Sequence, residues 1–390
     1  MFGKFLLNCT SLLLKFIPRN KHLWITGRTN TKLGENDAPT FFDNSKYFYL
    51  YLVNETNEHV YWITSSDKEY ELLKSLGLPV IHYSEKKSIW IILRARYFFH
   101  HYGINQISED LQRGSIQMDF WHGTPLKKIG YDVVSRPENH YTRFQTFLNK
   151  GGCEYSSSTS RFLSENILAK AFATTPDKIL NFGYPRMDIM GNTKESILEF
   201  CKQYSKDLLP YIEICNKFKK IILYMPTWRD YDEYYFKKAQ IDYERMSTAL
   251  KKIDAVFFIK LHPMTKYVDI PDYDNIVQID NDVDMYPFLT YVDFLVTDYS
   301  SIYFDFLVLD REIIFIPYDF EQYVSNRQLY FEYDSITPGI KYKSFNDFIH
   351  NLNHITELNY SLERNRVRQK LYDDYQFDAC KRTYDYLRNI

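Results

Sequence analysis

No stretch of the chain approaches the roughly 18 uninterrupted apolar residues that a membrane-crossing helix needs, so no transmembrane span is evident. Cysteine is sparse. Cys9, Cys153, Cys201, Cys215 and Cys380 are scattered, odd in number and never in CxxC spacing, which argues against a disulfide framework or a zinc site and for a reducing compartment. A strong charge of one sign is also missing. The net charge of −2 provides no global basic field of the kind nonspecific nucleic-acid binders carry. The GxxxxGK[ST] and GxGxxG phosphate signatures are absent, as is any DxD-like carboxylate cluster that would clamp a metal at a strand end. Short-period repeats and low-complexity segments are lacking too.

What is present is a long, aromatic, globular chain. Its 390 residues are many for one core, so two domains are expected, and 45% hydrophobic with 25% charged residues fits a folded protein. Tyr (35) and Phe (29) supply large side chains for cores and for surfaces wet on one side. Short apolar runs alternate with helical patterns, which predicts an α/β fold with parallel sheets. Strands are expected at Leu23–Gly27, Val60–Thr64, Leu78–His82 and Ser115–Phe120, with a mixed apolar and basic helix over Ser88–Tyr102 that carries Arg94, Arg96, His100 and His101. After a helical stretch at 192–217, interrupted at Pro210, the pattern restarts with strands at Lys220–Tyr224, Ala255–Leu261, Ile276–Ile279, Asp293–Thr297 and Glu312–Ile316. The expected division is an amphipathic segment over 1–20, a first Rossmann-like domain over 21–191, a linker over 192–218, and a second domain with terminal helices over 219–390. At the N-terminus, Met1–Ile17 carries nine large apolar residues with Lys4, Lys15, Arg19 and Lys21 around them. No small-residue cleavage site follows, so two readings stand: a basic amphipathic helix in a membrane interface, or an ordinary core helix.

Polar clusters recur at the carboxyl ends of the expected strands, the edge where doubly wound sheets bind ligands. Trp121-His122-Gly123-Thr124-Pro125-Leu126-Lys127 combines an imidazole, a permissive glycine, a hydroxyl and an ammonium group. Tyr184-Pro185-Arg186 with Asp188, and Thr227-Trp228-Arg229-Asp230, each place a guanidinium beside a carboxylate. Lys260-Leu261-His262-Pro263 puts a cation and an imidazole at a strand end. Thr297-Asp298-Tyr299-Ser300-Ser301 precedes an apolar helix and suits a pyrophosphate. Each has a plainer reading: a turn whose His satisfies a carbonyl, a local Arg–Asp pair, or an N-cap. The repetition of phosphate-compatible chemistry at four strand ends favours a site.

In this order, and with the loop from Tyr318-Asp319 to Pro338-Gly339, these motifs resemble the CDP-glycerol glycerophosphotransferase family, the teichoic-acid primases and polymerases, over about 20–345. One departure is Met187, where the family often has Asn. The resemblance implies a GT-B fold, two Rossmann-like domains with the active site between them. It also implies transfer of glycerol phosphate from CDP-glycerol to a hydroxyl of a lipid-linked teichoic-acid or capsule precursor, with release of CMP. His122 is then the general base. Gly123, Thr124, Lys127, Arg186, Asp188, Thr227, Arg229, His262, Thr297, Asp298, Ser300 and Ser301 are expected to bind substrate, the first-half motifs toward the acceptor and the second-half motifs toward the donor. No cofactor or protein-held metal is called for, although a divalent ion accompanying the substrate is compatible. The expected partners are CDP-glycerol, a lipid-linked acceptor and an anionic membrane surface, with a peripheral location on the cytoplasmic membrane face. The alternatives are a CDP-ribitol-dependent transferase, a nucleotide-sugar glycosyltransferase, and an inactive GT-B module that binds membrane or partner proteins.

Overall fold

The computed structural model describes residues 14–29, 41–101, 107–133 and 153–390. Most of the N-terminal amphipathic segment therefore lies outside the described residues. The chain divides into two compact units. One comprises Met1–His122, Val134–Gly191 and Asp373–Ile390; the other comprises Gly123–Val133 and Asn192–Tyr372.

Among the described residues the first unit holds seven parallel strands: β1 (Asn20–Arg28), β2 (His59–Thr64), β3 (Val80–His82), β4 (Ala95–His100), β5 (Ile116–Asp119), β6 (Tyr155–Ser157) and β7 (Ile179–Leu180). Their order is β3-β2-β1-β4-β5-β6-β7, so the strand order reverses between β1 and β4. Trp24 stacks on Tyr97 at 3.9 Å, and Phe48 packs edge-on against Phe99 and Phe120 at 5.0 Å each. Gly27, next to last in β1, lies beside Ile63 with φ +114°. A Cβ built there would lie 2.0 Å from the Ile63 carbonyl oxygen.

The helix expected over Ser88–Tyr102 is corrected. Only Ser88–Arg94 is helical, and Ala95–His100 forms β4, paired with β1 and β5 at the centre of the sheet. A strand buried on both faces has no alternation to betray it, and a short continuous apolar run cannot be told from a helix by period. The aromatic run Tyr97-Phe98-Phe99 was the usable signal, because aromatics favour strands. The histidines at the end of this run are interior groups. His100 Nε2 meets Gln112 Oε1 at 2.9 Å and His101 Nδ1 meets Ser45 Oγ at 2.8 Å. Burial pulls both imidazoles down to about 4. Arg96 sits on a strand, so no basic helix runs from Arg94 through Arg96.

The second unit holds six parallel strands: β8 (Lys220–Tyr224), β9 (Ala255–Lys260), β10 (Ile276–Ile279), β11 (Phe294–Thr297), β12 (Glu312–Phe315) and β13 (Ile340–Lys341). Their order is β10-β9-β8-β11-β12-β13, which reverses between β8 and β11. A continuous apolar core runs from Ile222 and Tyr224 through Phe257, Ile259 and Ile314 to Phe345 and Phe348. The loop expected over 317–340 carries two short helices, Phe320–Asn326 and Tyr333–Ile336.

Contacts revise the expected domain boundaries at two places. Residues 192–218 belong to the second unit: Tyr291 donates to the Lys194 carbonyl at 3.1 Å, and the Asp280 amide donates to the Tyr211 hydroxyl at 3.1 Å. Pro210 lies in the first turn of the helix Leu209–Cys215, where its missing N–H costs nothing. Asp373–Ile390 returns to the first unit, where Arg388 pairs with Glu58 at 3.1 Å.

We expect Gly27→Ala to destabilise the protein by about 3 kcal/mol, the sum of over-packing and left-handed backbone strain. Thermal or urea unfolding reads this directly, and an unchanged midpoint would remove the close approach of β1 and β2 as the reason for glycine.

Candidate functional site

The carboxyl edge of the second sheet is organised at the β8–β11 switch point. Thr227 and Arg229 follow β8, and Asp298 follows β11. The Thr227 amide donates to Asp298 Oδ1 at 2.8 Å, and Arg229 Nη2 donates to Asp298 Oδ2 at 2.8 Å. Arg229 also forks onto Asp319, through Nε to Oδ2 at 2.9 Å and Nη2 to Oδ1 at 3.0 Å. The guanidinium lies over Tyr235, Tyr299 and Tyr323 at 5.2, 4.9 and 5.1 Å. Burial alone would lower its pKa, but Asp298 and Asp319 hold it raised. The side chains of Arg229 and Asp298 are both 0% exposed. In this structure the two side chains are bonded to each other rather than open to the surface, and the pair holds the β8 and β11 loops together. Thr297 is likewise internal, its hydroxyl donating to the Met225 carbonyl at 2.7 Å.

The groups left at the surface of this edge are different ones. Ser300 and Ser301 are half-buried ahead of the turn Ile302–Phe306, and Ser301 makes no side-chain capping bond. The plain N-cap reading therefore fails for Ser301. The Thr227 hydroxyl is buried without a hydrogen-bond partner among the described residues. His262 stacks on Trp228 with ring centroids 5.3 Å apart. Its Nδ1 accepts from the Met264 amide at 3.2 Å, so in the neutral ring the proton lies on Nε2. Burial, then the charges of Lys260 and Lys127, lower its pKa, which favours the neutral ring. Lys260 donates to the Asn281 carbonyl at 2.6 Å, and burial pulls its ammonium down to about 8 against the opposing pull of Asp282, Asp284 and Asp280.

The Trp-His-Gly motif is divided between the units. Residues 123–133 pack with the second unit: the Lys128 amide donates to the Gln328 carbonyl at 2.9 Å and the Tyr330 amide to the Leu126 carbonyl at 2.9 Å. Tyr330 also donates to Asp132 at 3.0 Å. Thr124 is fully buried and its hydroxyl has no hydrogen-bond partner among the described residues. Lys127 is lowered by burial and then by Arg327, while Asp298 and Asp230 act in the opposite direction. No carboxylate pairs with its ammonium among the described residues. Thr124 and Lys127 thus belong with the second sheet, not with the first-half groups expected to approach the acceptor.

His122 stays with the first unit, on a tight turn after β5. Trp121 has φ 57°, a left-handed conformation that costs a bulky residue about 1–2 kcal/mol. Three side chains hold it. Asp119 accepts from the Trp121 amide at 2.9 Å, Asn44 Nδ2 donates to the Trp121 carbonyl at 2.8 Å, and Arg186 Nη2 donates to the His122 carbonyl at 3.1 Å. Arg186 in turn pairs with Asp43 at 2.7 Å, and its amide donates to Asn44 Oδ1 at 3.1 Å. Burial would raise the Asp43 pKa, but Arg186 and then His101 hold it lowered. The His122 ring is half-buried and lies 4.0 Å from the Trp121 ring. Gly123, at φ +118°, completes the turn.

Asp188 is likewise engaged by its own chain. It accepts from Tyr375 Oη at 2.9 Å and from the amides of Ala379 and Cys380 at 3.0 and 2.8 Å, which caps the helix Ala379–Arg388. Burial raises its pKa to about 6, against those donors. Asp43 and Asn44 were missed because Asp-Asn-Ser ahead of a helix reads as a cap. Among the described residues, no group of three or more His, Cys, Asp or Glu side chains is placed to hold a metal ion, and no helix is long and apolar enough to cross a membrane.

The family model for CDP-glycerol:poly(glycerophosphate) glycerophosphotransferases matches residues 29–386. The chain belongs to this family. It is 30% identical over 316 residues to the teichoic acid glycerol-phosphate transferase of Staphylococcus aureus, covering 77% of each chain. It is 26% identical to that organism's teichoic acid ribitol-phosphate polymerase TarL, covering 88% of this chain and 60% of the polymerase. In fold it is similar to the wall teichoic acid polymerase TagF, with a TM-score of 0.75, 21% identity, and coverage of 98% of this chain and 93% of the other.

Two outcomes follow from the charges. Arg229→Gln leaves two carboxylates facing each other without a cation, and should cost about 3–5 kcal/mol in urea unfolding; a variant as stable as the parent would show that the bridge is not needed. Lys260 has a folded pKa near 8 against an unfolded value of about 10.4. Between these, only the unfolded chain holds the proton, so Lys260 makes stability rise with pH, by up to about 3 kcal/mol. Lys260→Met should flatten the change in unfolding free energy between pH 7.5 and 9.5 relative to the parent.

Proposed function

We propose that the protein transfers glycerol phosphate from CDP-glycerol to a hydroxyl of a teichoic-acid or capsule precursor and releases CMP. The observation that carries this is the cluster at the β8–β11 edge, in a chain of the glycerophosphotransferase family. Burial lowers the pKa of both Lys127 and Lys260, and at Lys127 the charges of Arg327 and Arg229 act in the same direction, a repulsion that a diphosphate would relieve. Ser300, Ser301, the neutral His262 Nε2–H and the Lys127 ammonium supply the donors that phosphoryl oxygens need.

In this reading His122 is the general base. It takes the proton from the acceptor hydroxyl as that oxygen bonds to the β-phosphorus. The bond between the β-phosphorus and the bridging oxygen breaks, and CMP leaves with the electron pair. The left-handed turn at Trp121 projects the imidazole from a strand end, where a base can meet a mobile substrate. Arg186 and Arg229 act by holding the loops. A GT-B arrangement, a lipid-linked acceptor and a peripheral place on the cytoplasmic membrane face are parts of the same proposal. The exposed Ile89 and Trp90, with Arg94 5.9 Å from the Trp90 ring, support a surface contact with lipid.

Purified protein should release CMP from CDP-glycerol in the presence of a synthetic lipid-linked acceptor. CDP-ribitol is the second arm, because relatives of comparable identity are ribitol-phosphate enzymes. No CMP from either donor would sink the catalytic reading. His122→Ala should lower turnover by about 10³-fold or more and leave CDP-glycerol binding within a few-fold, whereas His262→Ala should weaken that binding.

A further inference from the structure

We propose that Asp43 and Asn44, at the start of the helix Asp43–Glu55, are positioning residues that aim His122 at the acceptor hydroxyl. The proposal rests on His122 being the base. Asp43, Asn44 and Arg186 are all more than nine-tenths buried; Asn44 and Arg186 bond to the turn that bears His122, and Asp43 bonds to Arg186. The turn offers three backbone groups, the Trp121 N–H, the Trp121 carbonyl and the His122 carbonyl, and each is taken by a different side chain. Asn44 holds two of the three arms together. Its amide nitrogen donates to Trp121 and its carbonyl oxygen accepts from the Arg186 backbone, so one planar group sets the spacing between the two chain segments. Asp43 supplies the counter-charge that keeps the Arg186 fork turned toward the His122 carbonyl. It also takes a left-handed conformation itself, at φ 57°, as Trp121 does. One left-handed residue thus lies in the turn and another in the ion pair that braces it, and strain of this kind collects where a side chain must be aimed.

A base displaced by a fraction of an ångström loses reach to the proton, while binding of the donor substrate, which does not depend on this turn, continues as before. Asn44→Ala should therefore lower kcat by about 10- to 100-fold and leave KM for CDP-glycerol within two-fold. The deciding experiment is a double-mutant cycle with CDP-glycerol and a synthetic lipid-linked acceptor. In a His122→Ala background, Asn44→Ala should have no further effect on the residual rate, because there is nothing left to aim. Additive effects, or a kcat unchanged in the single variant, would overturn the positioning role. A His122→Ala enzyme that keeps full activity would instead overturn the base assignment, and the two failures are distinct. If Asn44→Ala does not fold, Asn44→Ser and Asp43→Asn take its place in the same cycle, and the same non-additivity is required of them.

Discussion

One guanidinium, that of Arg229, lies between two carboxylates on different loops, and the edge of the second sheet is built around it. Taking Arg229, Asp298 and Asp319 out of water is costly, and only mutual pairing with good geometry offsets that cost. Once the bridge forms, much else is settled. Asp298 takes the Thr227 amide, which fixes the loop after β8. Tyr299 donates to Asp319 at 3.1 Å and Tyr333 donates to the Asp298 carbonyl at 2.8 Å, which ties down the segment after β12. The bridge does not consume Ser300, Ser301, His262 or Lys127, the groups on which the proposed anion site rests.

The first unit solves a related problem with a smaller device. A left-handed Trp121 is unfavourable, yet it turns His122 off the end of β5. The buried Asp43–Arg186 pair and the Asn44 amide offset the strain with charge-assisted and neutral hydrogen bonds. In both units the arginines that resemble phosphate forks are consumed by the scaffold. Arginine keeps its charge when buried and binds two partners at fixed angles, which suits it to loop tethers as well as to ligands.

The helix Ala379–Arg388 illustrates why boundaries drawn along a chain fail. It follows the second unit in sequence but packs with the first, because Asp188 accepts the amides of Ala379 and Cys380 at its start. The crossover after His122 works the same way: backbone bonds from Leu126 and Lys128 to the 328–330 segment decide where Gly123–Val133 belongs. Such pairings join residues some 200 positions apart and leave no mark in local pattern.

Residue order alone determined the alternation of strands and helices, the restart of the pattern near Lys220, and the family, because strand ends and motif spacing are local properties. It also brought the right segments to attention: Trp121-His122-Gly123, Lys260-Leu261-His262 and Thr297 to Ser301. Tertiary structure decided which of those side chains are available. Arg229, Asp298, Asp188 and Arg186 carry ligand-like chemistry in a linear reading, and burial with a partner from a distant loop turns each into a tether. The strand at Ala95–His100 was hidden for a similar reason, since a run buried on both faces has no polar face to give its period. Burial and partnership depend on contacts distant in sequence, and those exist only once the chain has folded.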